Sequence, residues 1–239
     1  VSELGSTPAN LWRIDADGID TVRPARSPRR VRIDAKPKPV IIDLAATAIV
    51  VIDMQNRFCR ESRERMGDLP TARPIAPLQA LLPHLRTNDV PIIWLNWGNR
   101  PDKLNIAPGV MYAFARDGGF CPPMLEKGSW DAGIVAPLKA EDGDIHIDKH
   151  RISGFFDSEL DSVLRNLRIT TLLFAGVNID QCVNATLTDA HCLGYDCILV
   201  ADCAATRSPA FCTEAVLYNV ERGLGFVTGS GSVIAAAPA

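Results

Sequence analysis

The sequence predicts one α/β domain, a doubly wound and mostly parallel sheet of six strands with helices on both faces. Three observations carry that expectation. Apolar runs of strand length, rich in Val, Ile and Leu, recur from residue 45 onward, and they are continuous rather than alternating, as strands buried on both faces require. Amphipathic stretches of helix length separate them, which is how parallel neighbours are joined. The chain has 239 residues, 47% hydrophobic and 22% charged, enough for a single large core.

The elements follow in order. "TAIVVID" (47–53) reads as the first buried strand and "PIAPLQALLPHLRTND" (74–89) as a helix that Pro83 can kink. "PIIWLN" (91–96) is the second strand, and the Gly- and Pro-rich 97–123 a long functional loop. "DIHID" (144–148) is a strand, followed by a helix over 157–168 with Leu160, Val163, Leu164 and Leu167 on one face. "TTLLFAGV" (170–177) is a strand, and 182–194 a helix closed by Gly194. "DCILVAD" (196–202), a helix over 208–225 and "GFVT" (225–228) complete the pattern. Residues 1–44 stand apart as an extended N-terminal arm before a domain at 45–239. "RPARSPRRVR" concentrates Arg23, Arg26, Arg29, Arg30 and Arg32 without interleaved aromatics, which suits an arm packed on its own domain or a neighbouring subunit better than a nucleic-acid tail.

Composition narrows the function classes. A net charge of -3 gives no bulk attraction to nucleic acid or an anionic membrane. No apolar run approaches the ~20 residues that span a bilayer, and no signal peptide is apparent, so a cytoplasmic location is expected. Seven cysteines (59, 121, 182, 192, 197, 203 and 212) are odd in number and irregular in spacing, which fits reduced thiols rather than a disulfide framework. Four histidines (84, 146, 150 and 191) show neither HxH nor HExxH spacing, so no metal site and no cofactor is expected.

Reactive groups in open α/β sheets gather at the carboxyl ends of the strands. Asp53 ends the first strand, Lys149 follows "DIHID", and Cys182 opens a helix after "TTLLFAGV". Singly these read as a turn acid, a surface cation and a small buried residue. Together they make a mechanism. A thiol at a helix N-terminus and near an ammonium has its pKa lowered, a carboxylate can take its proton and return it to a leaving group, and N–H groups at the helix start can receive an oxyanion.

At this point the blocks "VVIDMQNRFC", "DKHRISGFFDSELDSVL" and "AGVNIDQCVNATLTDAHCLGYDCILVADC", in this order, resemble the isochorismatase-like cysteine hydrolase family. The resemblance runs from about Ala45 to the C-terminus. It implies Asp53, Lys149 and Cys182 as the catalytic triad, a cis peptide between Val177 and Asn178, and an oxyanion hole from the backbone N–H groups of Asn178 and Cys182. It also implies a homo-oligomer, a dimer or tetramer.

Within that family the cysteine counts against vinyl-ether cleavage, and "WLNWGNRPDKLN" lacks the histidine of the metal cluster that nicotinamidases carry. "LEKGSWDAGIV" and "RISGFFDSELDSVLRNLRI" are similar to ureidoacrylate amidohydrolases, while "GNRPD" is similar to biuret hydrolases and carbamoyl-amide relatives, so biuret, triuret and ureidoacrylate are all candidate substrates. The expected activity is therefore cysteine-dependent hydrolysis of a small linear ureido or carbamoyl amide, releasing ammonia or amine. The alternatives are an N-carbamoylsarcosine-type or nicotinamidase-like amidase, or a non-catalytic scaffold of the same fold. Gln55, Phe58, Asn96, Trp97, Ile152 and Phe155 are the expected pocket residues, and a basic side chain there, such as Arg100 or Arg151, would favour a carboxylate-bearing substrate.

Overall fold

The computed structural model describes residues 1–63, 65–115 and 124–239. Its centre is built from two strands without an exposed residue, Thr47–Ile52 and Thr171–Val177, and the remaining elements are arranged by what those strands need covered. The chain first forms β1 (Ser2–Thr7), β2 (Asn10–Ile14) and β3 (Ile19–Asp20), a small antiparallel sheet. Then β4 (Arg30–Ile33) and β5 (Val40–Asp43) pair antiparallel, and the last strand of the chain, Ala237–Pro238, adds to the free edge of β4. Residues 1–44 are thus laid out as strands against the body of the molecule. Period two explains β4: Arg30 and Arg32 face solvent while Val31 and Ile33 face the core. Farther upstream the Arg26 guanidinium donates to the carbonyl of Leu167 at 2.9 Å and to that of Ala45.

The main sheet contains β6 (Thr47–Ile52), β7 (Ile92–Trp97), β8 (Ile145–Lys149), β9 (Thr171–Val177), β10 (Asp196–Ala205) and β11 (Phe226–Thr228). Its order is β11-β10-β9-β6-β7-β8 and every neighbouring pair is parallel. The helices are α1 (Asn56–Cys59), α2 (Ile75–Thr87), α3 (Pro108–Ala115), α4 (Leu160–Asn166), α5 (Asn184–Cys192), α6 (Ala210–Asn219) and α7 (Ser230–Ile234). On one face α2 contributes Leu78, Leu81, Leu82 and Leu85 beside Val233 of α7 and Ile33 of β4. On the other, Leu160 and Leu164 of α4, Leu187 of α5 and Val216 of α6 cover the sheet. Pro83 lies inside α2 without ending it. The six strands, together with α2, α4, α5 and α6, stand where the hydrophobic pattern puts them. The loop expected at 97–123 contains α3, and its residues 116–123, Cys121 among them, lie outside the described residues. No helix among the described residues is long and apolar enough to cross a membrane.

From β6 the chain winds one way to β7 and β8, and from β9 the other way to β10 and β11. The strand order therefore reverses between β6 and β9, and the carboxyl ends at such a point are where open α/β sheets place their ligand sites. Both strands reach that edge with special backbone. Asp53 has φ 52°, a left-handed conformation that a short polar side chain tolerates better than most. Opposite it, Gly176 has φ 112°, and a Cβ there would stand 2.0 Å from the Ile52 carbonyl oxygen. Only glycine fits, because the clash is with backbone and the backbone is a central strand. Replacing it (Gly176→Ala) should destabilise the fold by about 3 kcal/mol or more, read as a lowered urea midpoint at unchanged slope. A shift below about 0.5 kcal/mol would contradict the close approach of β6 and β9.

Candidate active site

Three side chains converge at the switch point. Asp53 follows β6, where the left-handed residue ends the strand; its N–H still donates to Leu95 at 3.0 Å, so the turn begins from a fixed ladder position. Lys149 is the last residue of β8, two strands away from β6. Its side chain must cross roughly 10 Å of sheet, and it does so over the indole of Trp97, the residue beside it in register on β7. Cys182 lies in a single π-helical turn, Ile179–Val183, that leads from β9 into α5. The peptide between Val177 and Asn178 is cis.

The distances define a compact cluster. Lys149 Nζ lies 3.1 Å from Asp53 Oδ2, 3.4 Å from Cys182 Sγ and 3.1 Å from the Arg151 carbonyl oxygen. The ammonium is 3.9 Å from the centre of the Trp97 ring. Lys149 is fully buried, and Asp53 and Cys182 are 1% and 7% exposed. Two opposite charges are thus held out of water at contact distance.

Burial sets the electrostatics. It pushes the Asp53 carboxyl above the ordinary carboxylate range, with the Lys149 charge and the Cys182 thiol pulling it back. It also pushes the Cys182 thiol up to about 12, with Lys149 opposing and Asp53 adding to the rise. The sequence expectation is a thiol acidified by the helix start and a nearby ammonium; the Lys149 contribution is present, but burial pushes the thiol the other way. The resting cysteine is a neutral thiol beside a carboxylate with enhanced basicity. That arrangement can pass a proton over a short distance without any group leaving the site. No three His, Cys, Asp or Glu side chains among the described residues are arranged to hold a metal ion.

The expected pocket residues separate. Gln55 is fully buried and its carboxamide is committed to the backbone: Nε2 donates to the carbonyls of Trp97 and Ala132, each at 2.8 Å, and Oε1 accepts from the Trp97 N–H at 3.1 Å. It has no N–H left for a substrate. Phe58 is half-buried on α1 and packs against both apolar layers. Asn96 is buried with its Oδ1 unpartnered, one residue before Trp97 and so on the opposite face of β7. Ile152 is 54% exposed and forms no buried wall. Phe155 stacks 5.9 Å from Tyr195, which precedes β10 at the amino end of the sheet, so it packs away from the carboxyl edge. Of the two arginines considered for a substrate carboxylate, Arg100 is paired with Asp102 at 2.6 Å and Arg151 with Asp157 at 2.5 Å.

The positions of two features at the site were not visible in the sequence. The segment 130–135 runs beside the turn after Asp53, with Asn56 N–H bonded to the Gly133 carbonyl at 2.9 Å and Val135 N–H to the Met54 carbonyl at 2.9 Å. It carries no periodicity that could have announced it. Arg207 emerges just beyond β10 and its Nη2 donates to the Phe58 carbonyl at 3.4 Å, with no carboxylate partner among the described residues. A basic residue directly after a strand's carboxyl end was the available signal.

Residues 47–231 match the isochorismatase domain. The chain is 32% identical over 212 residues to ureidoacrylate amidohydrolase RutB of Stutzerimonas stutzeri, covering 83% of this chain and 85% of that one. It is 33% identical over 208 residues to the protein of the same name from Agrobacterium fabrum, covering 82% and 91%. Among solved structures, a cysteine hydrolase from Pseudomonas syringae pv. phaseolicola superimposes with a TM-score of 0.72 at 25% identity, covering 81% of this chain and 93% of that one. N-carbamoylsarcosine amidase from Thermoplasma acidophilum gives 0.63 at 25% identity, covering 77% and 96%.

The buried pair generates a stability prediction. Removing one partner strands the other charge in an apolar site, whereas removing both strands neither. Asp53→Asn should cost about 3 kcal/mol in urea unfolding at pH 7, and Asp53→Asn with Lys149→Met should recover most of it. Additive losses in the double variant would show that the two groups do not form a coupled pair.

Proposed function

Because the chain belongs to the isochorismatase family of hydrolases, we propose that it is a cysteine-dependent amidohydrolase acting on a small linear ureido or carbamoyl amide. The carrying observation is the buried cluster in which one ammonium stands 3.1 Å from a carboxylate and 3.4 Å from a thiol. In the proposed reaction Asp53 accepts the Cys182 proton as sulfur bonds to the substrate carbonyl carbon. Lys149 compensates the negative charge that moves between sulfur and carboxylate. The backbone N–H groups of Asn178 and Cys182 receive the oxyanion. As the C–N bond breaks, Asp53 returns its proton to the departing nitrogen, leaving a thioester. Water then adds to the thioester carbon while Asp53 takes its proton. As the C–S bond breaks, Asp53 passes that proton to sulfur and the thiol is restored. A carboxylate with raised pKa suits both halves, since it is a stronger base toward the thiol and, once protonated, is still far more acidic than the departing amine.

Of the candidate substrates, the ureidoacrylate type is favoured over biuret and triuret. The support is the similarity to proteins named ureidoacrylate amidohydrolase, together with Arg207. That side chain is exposed beside Phe58, two strands from β6 in the sheet order, and can meet the carboxylate that distinguishes ureidoacrylate from biuret.

The test is ammonia release from ureidoacrylate, biuret, triuret, an N-carbamoyl amino acid and nicotinamide, with Cys182→Ala alongside. Ureidoacrylate should be turned over best, and Cys182→Ala should fold normally and lose at least about 10³-fold in kcat/KM. Near-wild-type turnover by that variant would eliminate the covalent route.

The pH profile carries a second expectation. Asp53 must be ionised to take the thiol proton, and burial raises its pKa. Activity is therefore lost as pH falls through a limb that lies above the ordinary carboxylate value of about 4, measured as kcat/KM from pH 4 to 9. A limb at or below about 4 would show that the essential base is a solvated carboxylate.

A further inference from the structure

We propose that Gln55 and Trp97 are positioning residues: Gln55 grips the Trp97 backbone in place of a missing strand, so that the indole forms a platform fixing the Lys149 ammonium between Asp53 and Cys182. The proposal rests on the reading of this cluster as a cysteine amidohydrolase site and assigns new work to two residues expected on the pocket wall.

Strand register explains the grip. Ile52 pairs with Leu95, and there β6 ends, because Asp53 turns away. On β7, the N–H and C=O of Leu95 and Trp97 point toward β6, while the Gly98 N–H points to Lys149 of β8 at 3.3 Å. Trp97 therefore has one backbone donor and one acceptor facing a strand that is no longer there. Buried groups of that kind need partners. The Gln55 carboxamide supplies both, accepting from the Trp97 N–H at 3.1 Å and donating to its carbonyl at 2.8 Å. Its remaining N–H ties the Ala132 carbonyl at 2.8 Å, so the loop across the site is held by the same amide.

The gripped residue places its ring under the charge. Trp97 is 3% exposed, and Phe114 of α3 packs edge-on against it, with centres 5.0 Å apart and planes at 85°. Lys149 Nζ sits 3.9 Å from the ring centre. Its other neighbours are all acceptors: Asp53, Cys182 and the Arg151 carbonyl. The ring face attracts the cation and keeps water from its flank. A wall residue would instead present that face to substrate, which the lysine already covers.

The consequence is electrostatic. The groups facing Asp53 are Lys149 from β8, the Trp97 N–H from β7, Cys182 from the π turn and Cys59 from α1; His150 and Arg151 flank Lys149, and Arg207 faces Cys59. The Lys149 charge is the largest influence favouring an ionised carboxyl, with the Cys182 thiol and the Trp97 N–H adding to it. A lysine freed from its platform holds Asp53 down less, so the acid limb of kcat/KM moves to higher pH. A purely structural defect would lower the amount of active protein and leave the limb where it was.

The experiment compares wild type with Trp97→Leu, Trp97→Phe and Gln55→Met for kcat, KM and the pH dependence of kcat/KM, with thermal unfolding as the folding control. Trp97→Leu and Gln55→Met should lower kcat by about 10-fold or more, move the acid limb upward by about half a unit or more, and leave KM within a factor of about three. Trp97→Phe, which keeps an aromatic face, should restore most of the loss. The rate of Cys182 alkylation by iodoacetamide between pH 7 and 10, followed by peptide mass mapping, needs no substrate. Its fall in Trp97→Leu and recovery in Trp97→Phe would uphold the platform even if every amide tested proved inert. A raised KM with an unmoved limb and unmoved alkylation would overturn it and return Trp97 to the pocket wall; so would a Phe variant no better than Leu. Should Trp97→Leu fail to fold, the same readouts on Gln55→Met decide.

Discussion

The contact between the Lys149 ammonium and the Asp53 carboxyl, 3.1 Å apart and closed to water, sets the terms for everything around it. Removing two charges from solvent is costly, and their attraction compensates only when the geometry is tight and the remaining polar capacity is satisfied. Several backbone features of this chain serve that end. Asp53 takes a left-handed conformation to end β6, and Gly176 lets β9 come against Ile52. The Arg151 carbonyl occupies one lysine N–H. The pair is an unfavourable element that the sheet is shaped to hold.

What the pair offers in return is short-range proton movement. Burial raises the Asp53 carboxyl, so its carboxylate is a stronger base than a solvated one toward a thiol itself pushed up to about 12. The proposed chemistry draws on that basicity, since the proton that leaves sulfur is the one later given to nitrogen. It also explains why burial, which disfavours a free thiolate, is compatible with a nucleophilic cysteine. The thiolate need exist only as it attacks.

Much of this was legible from residue pattern. "TAIVVI" and "TLLFAGV" have no polar interruption, and only a strand covered on both faces needs that, so the parallel sheet followed. Asp53, Lys149 and Cys182 each stand just past an apolar run, and the carboxyl ends of a parallel sheet lie at one edge. Other features gave no signal. Residues 1–44 carry prolines and arginines that read as an arm, yet Val31 and Ile33 bury against α7 and the core through a two-residue alternation too short to notice. The segment 130–135 is placed by hydrogen bonds to the turn after Asp53, and a contact of that kind has no periodicity. Phe155 and Ile152 follow Lys149 in sequence, but the chain turns, putting one against Tyr195 and the other into solvent.

The sequence by itself determined the type of fold and set Asp53, Lys149 and Cys182 at strand ends, because hydrophobic period and strand ends are local properties. Only the tertiary structure decided that Lys149 crosses β7 to reach the other two, that the indole of Trp97 lies beneath it, and that Gln55 holds backbone rather than substrate. Those facts depend on strand order and on where β6 stops relative to β7. The direction of the thiol's pKa was also decided there: a helix start is written in the chain, but the depth to which it is buried is set by elements more than a hundred residues away, and that burial pushes the thiol up.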